Sequence, residues 1–168
     1  IPLFCMKPKT KDPVNQPLIE FEEKIGLQWL GLMNSAVWHE DPKRLVFTLS
    51  RYKFVAKMLS GLQQVVEIGC GDGSGSRIVK QEVENLTITD YDPYFIKRYH
   101  EISDPDWPVQ AKVHDILSGP LPEKYNAVYS LDVMEHISSD LEDNYLNHIV
   151  ASLEENGVAI IGMPSLES

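Results

Sequence analysis

Short apolar runs alternate with helical patterns over the second half of the chain. The runs have the length and the β-branched content of buried strands. The predicted strands are residues 64–69, 86–90, 109–115, 126–132 and 157–163. Helices are predicted over residues 74–83, 93–102 and 138–157. Apolar strands that alternate with helices are typical of an α/β fold with a doubly wound, mostly parallel sheet of the Rossmann-like type.

Capping residues mark where several helices begin and end. Asp41 is a candidate N-cap, Pro42 occupies the first helical position, and Gly61 ends the segment. Ser139 with Glu142 forms the spacing of a capping box before the last helix. The apolar stripe predicted for the helix after Asp41 consists of Leu45, Leu49, Tyr52, Ala56 and Leu59.

The first third of the chain has a different character. Residues 1–17 contain four prolines and three lysines without periodicity, which predicts a loose arm or a segment that packs irregularly. Residues 18–39 look helical in pieces, interrupted by Gly26 and Gly31. The predicted parts are an N-terminal arm and helical cap over residues 1–61 and a core domain over residues 62–168.

Composition and charge exclude several classes of function. The 168 residues are enough for about one domain with a single core, and the chain is 43% apolar and carries a net charge of −10. An acidic chain with scattered basic residues is unlike a nucleic-acid binder. No apolar run reaches the about 18 residues of a membrane span, and no signal peptide is evident. Cys5 and Cys70 form no framework and no CxxC pair, which favours a reducing, cytoplasmic setting and no metal site.

The segment VVEIGCGDGSGS, residues 65–76, contains most of the first predicted strand and the glycine-rich turn after it. In an open parallel sheet, ligands bind at the carboxyl ends of the strands, and glycines let a ligand approach bare backbone there. The alternative is a tight turn that packs closely and binds nothing. Ser74 breaks the dinucleotide pattern G-x-G-x-x-G, and no Gly-Lys pair of a phosphate loop follows. An oxidoreductase is therefore disfavoured.

At this loop the chain resembles the class I S-adenosylmethionine-dependent methyltransferases. The resemblance covers about residues 62–162 and rests on VVEIGCGDG, TITDYDP, KVHDIL and YNAVYSLDVMEHI, which stand in the family's order. It implies a cofactor, S-adenosyl-L-methionine, whose methionine part the glycine loop wraps. The implied cofactor-binding residues are Glu67, Gly69, Cys70, Gly71, Asp72, Gly73, Asp90, Tyr91, Asp115, Ile116, Ser130, Leu131 and Asp132.

Carboxylates suit the roles that the resemblance implies. Asp90 would accept hydrogen bonds from the ribose hydroxyls, with Asp92 as a competitor, and Asp115 would accept one from the adenine amine. Each aspartate is also open to interpretation as a strand-end cap or a solvated turn residue. Glu67 would reach the amino group of the cofactor through water or would only orient the loop.

Two further groups are candidates for the site. Arg51, Tyr52 and Lys53 are the candidates to bind the carboxylate of the cofactor, since an Arg fork matches a carboxylate; the alternative is a solvated basic helix face. Methyl transfer is an in-line displacement, and an oxygen nucleophile needs a base, for which His136 is the candidate. His136 and Glu135 would otherwise only structure their loop.

The sequence therefore predicts a cytoplasmic methyltransferase that acts on oxygen or nitrogen of a small molecule, such as a sugar or another metabolite. No Asn/Asp-Pro-Pro-Tyr motif of the enzymes that methylate amino groups of DNA or of protein glutamine is present. The family core has seven strands and five are evident here, so we expect that the C-terminal strands are missing. The alternative is a non-catalytic cofactor-binding or interaction module with the same fold, and the oligomeric state stays open.

Overall fold

A sheet of five parallel strands forms the centre of the molecule. The computed structural model describes residues 8–164, so Cys5 lies outside the described residues. The strands are β1 (Gln64–Ile68), β2 (Asn85–Asp90), β3 (Gln110–Val113), β4 (Tyr125–Leu131) and β5 (Leu153–Gly162). Their order in the sheet is β3-β2-β1-β4-β5. The chain adds β2 and β3 on one side of β1 and then adds β4 and β5 on the other side, so the switch point lies between β1 and β4. The predicted doubly wound α/β fold and its five strands are confirmed.

Six helices lie among the described residues. They are α1 (Gln16–Ile25), α2 (Leu32–Glu40), α3 (Pro42–Met58), α4 (Ser76–Lys80), α5 (Pro93–Ile102) and α6 (Glu142–Ala151). Single 3-10 turns form at Pro13–Asn15 and Met134–His136. No described helix is long and apolar enough to cross a membrane.

The N-terminal helices end where the sequence indicates. Gly26 ends α1 with φ +80°, and Gly31 precedes α2 with φ +91°. The carboxylate of Asp41 caps α3 by accepting the backbone N–H of Lys43 at 3.1 Å. The predicted arm is wrong in part, because α1 already begins at Gln16 with a proline in its first turn, where the missing N–H costs nothing.

Alternate residues of each strand point to opposite faces of the sheet, and each face has its own core. Val65 packs with residues of α3, α4 and α5, whereas its neighbour Val66 packs with Tyr145 and Ile149 of α6. Within the described residues, α3, α4 and α5 therefore cover one face and α6 covers the other. Of the predicted stripe, Tyr52, Ala56 and Leu59 face the first core, and Leu59, which follows the last residue of α3, is buried.

The predicted capping box of α6 is wrong. The N-cap position is held by Leu141, which makes no side-chain capping bond, and the helix starts at Glu142. The N–H of Leu141 donates to the carbonyl of Ser138 and closes a turn that contains Ser139, the predicted N-cap residue. The helix also ends earlier than predicted, at Ala151, because Ser152 turns inward and its hydroxyl accepts the N–H of Leu121 at 2.9 Å.

Candidate functional site

The glycine loop (residues 69–75) joins β1 to α4 at the switch point of the sheet. Gly69 and Gly71 have φ of +72° and +55°, which side chains rarely adopt. A Cβ added at Gly69 would lie 2.3 Å from Cγ2 of Val133, and one at Gly71 would lie 2.3 Å from Sδ of Met33. The absence of a Cβ at these glycines therefore lets Val133 and Met33 pack closely on the loop, in addition to allowing the turn. This close packing is what the alternative of a tight turn without a ligand predicts.

Glu67 is a carboxylate buried directly below the loop. Its Oε1 accepts the hydroxyl of Tyr52 at 2.9 Å, and its Oε2 accepts the hydroxyls of Ser76 and, at 2.7 Å, of Tyr129. Burial raises the pKa of Glu67, whereas the three hydrogen bonds lower it. Because the donors come from α3, α4 and β4, this geometry supports the loop-orienting role for Glu67.

Asp90 ends β2 beside the loop and is buried. Its Oδ2 accepts the N–H of Gly71 at 2.8 Å, and its Oδ1 accepts the N–H of Asp92 at 2.9 Å. Burial raises the pKa of Asp90 against the effect of these bonds. Each oxygen keeps a further lone pair for a ligand. Asp92 instead caps α5 by accepting the N–H of Tyr94 at 2.8 Å, which favours Asp90 as the ligand-binding residue.

Asp72 has a role that the sequence does not reveal. Its Oδ1 accepts the N–H of Ser74 at 3.1 Å, and its Oδ2 accepts the N–H of Met33 at 2.8 Å. Met33 lies in the first turn of α2, whose own N-cap residue is Gly31, without a capping side chain. Asp72 therefore caps α2 from the loop and fixes the N-terminal helices over it.

The ends of the other strands differ in exposure. Asp115 follows β3, is exposed, and accepts the N–H of Leu117 at 2.9 Å. Ile116 is buried in the core, and its carbonyl lies 2.6 Å from Nδ1 of His148. Tyr91, after β2, is exposed. Asp115 and Tyr91 are accessible to a ligand, whereas the side chain of Ile116 is committed to packing.

Two polar side chains predicted to contact a cofactor are internal. Ser130 is buried, donates to the carbonyl of Ile68 at 3.0 Å and accepts the hydroxyl of Tyr145 at 2.7 Å. Cys70 is also buried, and burial together with the charge of Glu67 raises the pKa of its thiol. Ser130 therefore braces β4, and Cys70 lacks the thiolate character of a nucleophile.

An ion pair joins α3 to the residue after β4. Both terminal nitrogens of the Arg51 guanidinium donate to the two carboxylate oxygens of Asp132. Nε of Arg51 is buried and has no hydrogen-bond partner among the described residues. Asp132 has φ +55°, an unusual conformation for a residue other than glycine, and its N–H donates to the carbonyl of Gly162 at 2.9 Å.

A family model described as a methyltransferase domain matches residues 66–159, which contain the glycine loop, β2 to β4 and most of β5. The chain belongs to the methyltransferase-domain family. No curated protein sequence matches the chain.

Solved structures agree with the methyltransferase fold. The N-methyltransferase NodS from Bradyrhizobium japonicum WM9, in complex with S-adenosyl-L-homocysteine, is 17% identical with a TM-score of 0.62, over 70% of this chain and 60% of that chain. The DhpI-SAM-HEP complex is 14% identical with a TM-score of 0.62, over 95% and 70%. Magnesium protoporphyrin IX methyltransferase from Synechocystis PCC 6803 is 21% identical with a TM-score of 0.57, over 66% and 53%. The match with this chain thus spans 60% of the length of the NodS chain.

His136 lies at the open end of this methyltransferase domain. It is exposed, as is Glu135, on the 3-10 turn that follows β4. The backbone N–H of His136 donates to the carbonyl of Val133 at 2.9 Å, which holds the turn against the loop, since Val133 itself covers Gly69. The imidazole is therefore accessible from solvent on the turn that follows β4.

The structure arranges predicted site residues in two layers. The members of the inner layer are buried: Glu67, Cys70, Asp72, Ile116 and Ser130. The outer layer keeps exposed or unused polar atoms: Arg51, Asp90, Tyr91, Asp115, Asp132 and His136. The sequence analysis does not identify Tyr129 and Ser76, whose hydroxyls donate to Glu67. The only sequence signals for them are a hydroxyl group within the apolar strand β4 and a serine at the start of α4.

Proposed function

We propose that the chain is the cofactor-binding part of an S-adenosyl-L-methionine-dependent methyltransferase that methylates oxygen or nitrogen of a small molecule. The observation that carries the proposal is Asp90. Its carboxylate is buried at the end of β2, is oriented by the N–H groups of Gly71 and Asp92, and keeps a lone pair on each oxygen. A ribose diol offers two hydroxyl donors to such a carboxylate.

The remaining residues of the outer layer fit an adenosyl cofactor. Asp115 is an exposed acceptor for the adenine amine, and Arg51 has an unsatisfied donor for a carboxylate. The cofactor supplies an electrophilic methyl group on a sulfonium. This chain's own residues bind and orient it. His136 would take the proton of an oxygen nucleophile at its imidazole.

Charge and relatives support a small acceptor. The chain carries a net charge of −10, which opposes a nucleic-acid substrate. Several similar structures are of enzymes with small acceptors, among them coclaurine N-methyltransferase bound to N-methylheliamine, which is 21% identical. We propose a small metabolite as the acceptor and the cytoplasm as the site of action.

Calorimetric titration with S-adenosylhomocysteine tests the cofactor, with NADH titrated in parallel. Loss of hydrogen bonds to a charged acceptor, each worth about 1.5–3 kcal/mol, should weaken binding by about tenfold to a hundredfold in Asp90→Asn. The matched control is Asp92→Asn, because asparagine retains the cap of α5 and should leave the affinity unchanged. If the folded chain binds neither ligand, or if both variants lose affinity equally, the proposal is overturned.

A further inference from the structure

Helix α3 has a second apolar stripe, on the side of the helix that faces away from the sheet. Phe47, Phe54 and Met58 form this stripe at spacings of seven and four residues, opposite the residues that pack in the first core. Their side chains are 57% to 63% exposed. Large apolar side chains exposed together on one surface are typical of an interaction site. We call this surface the α3 outer face.

Basic side chains surround the α3 outer face, although the chain as a whole has a net charge of −10. The sequence of α3 contains five basic residues and no acidic one. Four of the five are exposed and form no ion pair within residues 8–164: Lys43, Arg44, Lys53 and Lys57. Beside Phe54, a groove of about 460 Å³ between α3 and α4 has Ile78 and Lys57 in its wall. The face therefore suits a partner that is both apolar and acidic.

Helix α1 has the complementary pattern. Leu18, Phe21 and Ile25 lie on one side of α1 at spacings of three and four residues, and they are 46% to 66% exposed. The sequence of α1 contains three glutamates and one lysine. Its ten residues span about 15 Å, and the stripe on α3 from Phe47 to Met58 spans about 16 Å. The two stripes therefore match in length as well as in charge.

Within residues 8–164, α1 gains little from packing on its own chain. None of its residues is buried, and its largest packing contact is with the 3-10 turn at Pro13–Asn15, whereas α3 packs mainly on α2 and α4. An isolated helix shorter than about 12–15 residues is marginal in water, because the stability of helices in proteins comes mostly from packing an apolar face. A surface that covers the stripe of α1 would therefore stabilise this helix.

We propose that α1 packs on the α3 outer face of a second copy of this chain. Because each copy carries both surfaces, a two-fold arrangement forms the contact twice, with α1 of each copy on α3 of the other. The two apolar stripes meet at the centre of each contact, and the glutamates of α1 lie among the lysines of α3 at its rim. This interface goes beyond the proposed function and does not depend on a cofactor.

Charge also decides which helices pair. Contact between two α1 helices would bring glutamates together, and contact between two α3 helices would bring lysines and arginines together. Like charges placed opposite each other at an interface disfavour the wrong pairing. The contact of α1 with α3 is therefore favoured over either contact between identical helices.

The test is sedimentation velocity of the whole chain between about 1 μM and about 1 mM. Exposed apolar side chains are replaced by glutamine, which keeps the helix propensity. Leu18→Gln with Phe21→Gln makes the α1 variant, and Phe54→Gln with Met58→Gln makes the α3 variant. Val150→Gln on α6 is the control, because Val150 is 65% exposed and lies on neither surface. Urea unfolding of each protein checks that it is folded.

The unchanged chain and the control should form dimers, and salt should weaken these dimers because it screens the charges at the rim. The α1 variant and the α3 variant should each dimerise at least about 100-fold more weakly, since four apolar side chains leave the symmetric interface. Mixing these two variants should give a heterodimer that neither forms alone. One contact remains possible in the mixture, between the intact α3 of the α1 variant and the intact α1 of the α3 variant.

Four results would overturn the proposal. An unchanged chain that stays monomeric up to about 1 mM would do so, and α1 would then pack on its own chain if the α1 variant also unfolded at lower urea concentration. Loss of the dimer in only one of the two double variants would indicate contact between identical helices. An equal loss in the Val150→Gln control would place the interface elsewhere. Absence of a heterodimer in the mixture would exclude the contact between α1 and α3.

Discussion

The hydroxyl of Tyr129 should stabilise the fold more than an ordinary buried hydroxyl does. It donates at 2.7 Å to Glu67, a carboxylate that is itself 1% exposed. Tyr145 is a matched control, because it is equally buried and its hydroxyl donates at 2.7 Å to a neutral partner, Ser130. Replacing each tyrosine by phenylalanine removes one hydrogen bond of the same length from the same depth.

The charge of the acceptor sets the expected magnitudes. A hydrogen bond to a charged group contributes about 1.5–3 kcal/mol to the free energy of unfolding, and a neutral one about 0.5–1.5 kcal/mol. With about 2–4 °C per kcal/mol for a chain of this size, Tyr129→Phe should lower the melting temperature by about 3–12 °C. Tyr145→Phe should lower it by about 1–6 °C.

The pH dependence separates the two variants further. The pKa of Glu67 is raised in the folded chain from its ordinary value of 4.5, so the folded chain holds this proton more tightly than the unfolded chain does. Stability from this group is therefore full below 4.5 and falls as the pH rises through the folded pKa. The bond from Tyr129 lowers that pKa. Removing the bond raises the pKa further and enlarges the loss of stability at higher pH.

Urea unfolding of the unchanged chain and both variants at about pH 4.5 and about pH 8 measures these differences. We expect the destabilisation by Tyr129→Phe to grow between the two pH values and that by Tyr145→Phe to stay constant. Equal destabilisation by both variants at both pH values would refute the reasoning. It would mean that the carboxyl group of Glu67 is uncharged in the folded chain at both pH values.

Two further predictions concern the loop and the open end of the site. Gly73→Ala would place a Cβ 2.6 Å from Tyr99 and 2.8 Å from Ile88, at φ +66°. Its free energy of unfolding should therefore be lower by at least about 2 kcal/mol than that of the control Gly61→Ala, where φ is +84° but the space around the residue is open. Equal midpoints of urea unfolding for the two variants would contradict this prediction. His136→Ala should keep the affinity for S-adenosylhomocysteine, because the residue is exposed outside the loop, and should lower the turnover of an oxygen acceptor about 100-fold or more; unchanged turnover would remove His136 as the base.

The parts of the fold that depend on local chemistry could be predicted from the sequence. The strands were found because they are apolar on both faces, and α3 because Asp41 and Pro42 start it with ordinary capping chemistry. The last helix was misjudged because its end depends on Ser152, which bonds Leu121 across the core. A contact between distant segments leaves no trace in local spacing.

The same limit applies to the candidate site. Asp72 stands in a glycine-rich segment like a ligand-binding residue, yet it caps α2, 39 residues earlier in the chain. The only local sign is that α2 starts at Gly31 without a capping side chain of its own. Arg51 could be proposed from the fork geometry of its side chain, but its partner Asp132 follows from tertiary structure alone.

The acidic residues of the candidate site differ in how many hydrogen bonds each carboxylate accepts from the protein, and this number bears on their roles. Glu67 is buried and accepts hydrogen bonds from three hydroxyls, so its carboxylate links α3, α4 and β4 around the loop. Asp90 accepts one backbone N–H on each oxygen, which orients the carboxylate and leaves half of its capacity. Asp115 accepts one N–H and is exposed. The share of each carboxylate that the protein itself uses thus agrees with a supporting role for Glu67 and with the ligand-binding roles proposed for Asp90 and Asp115.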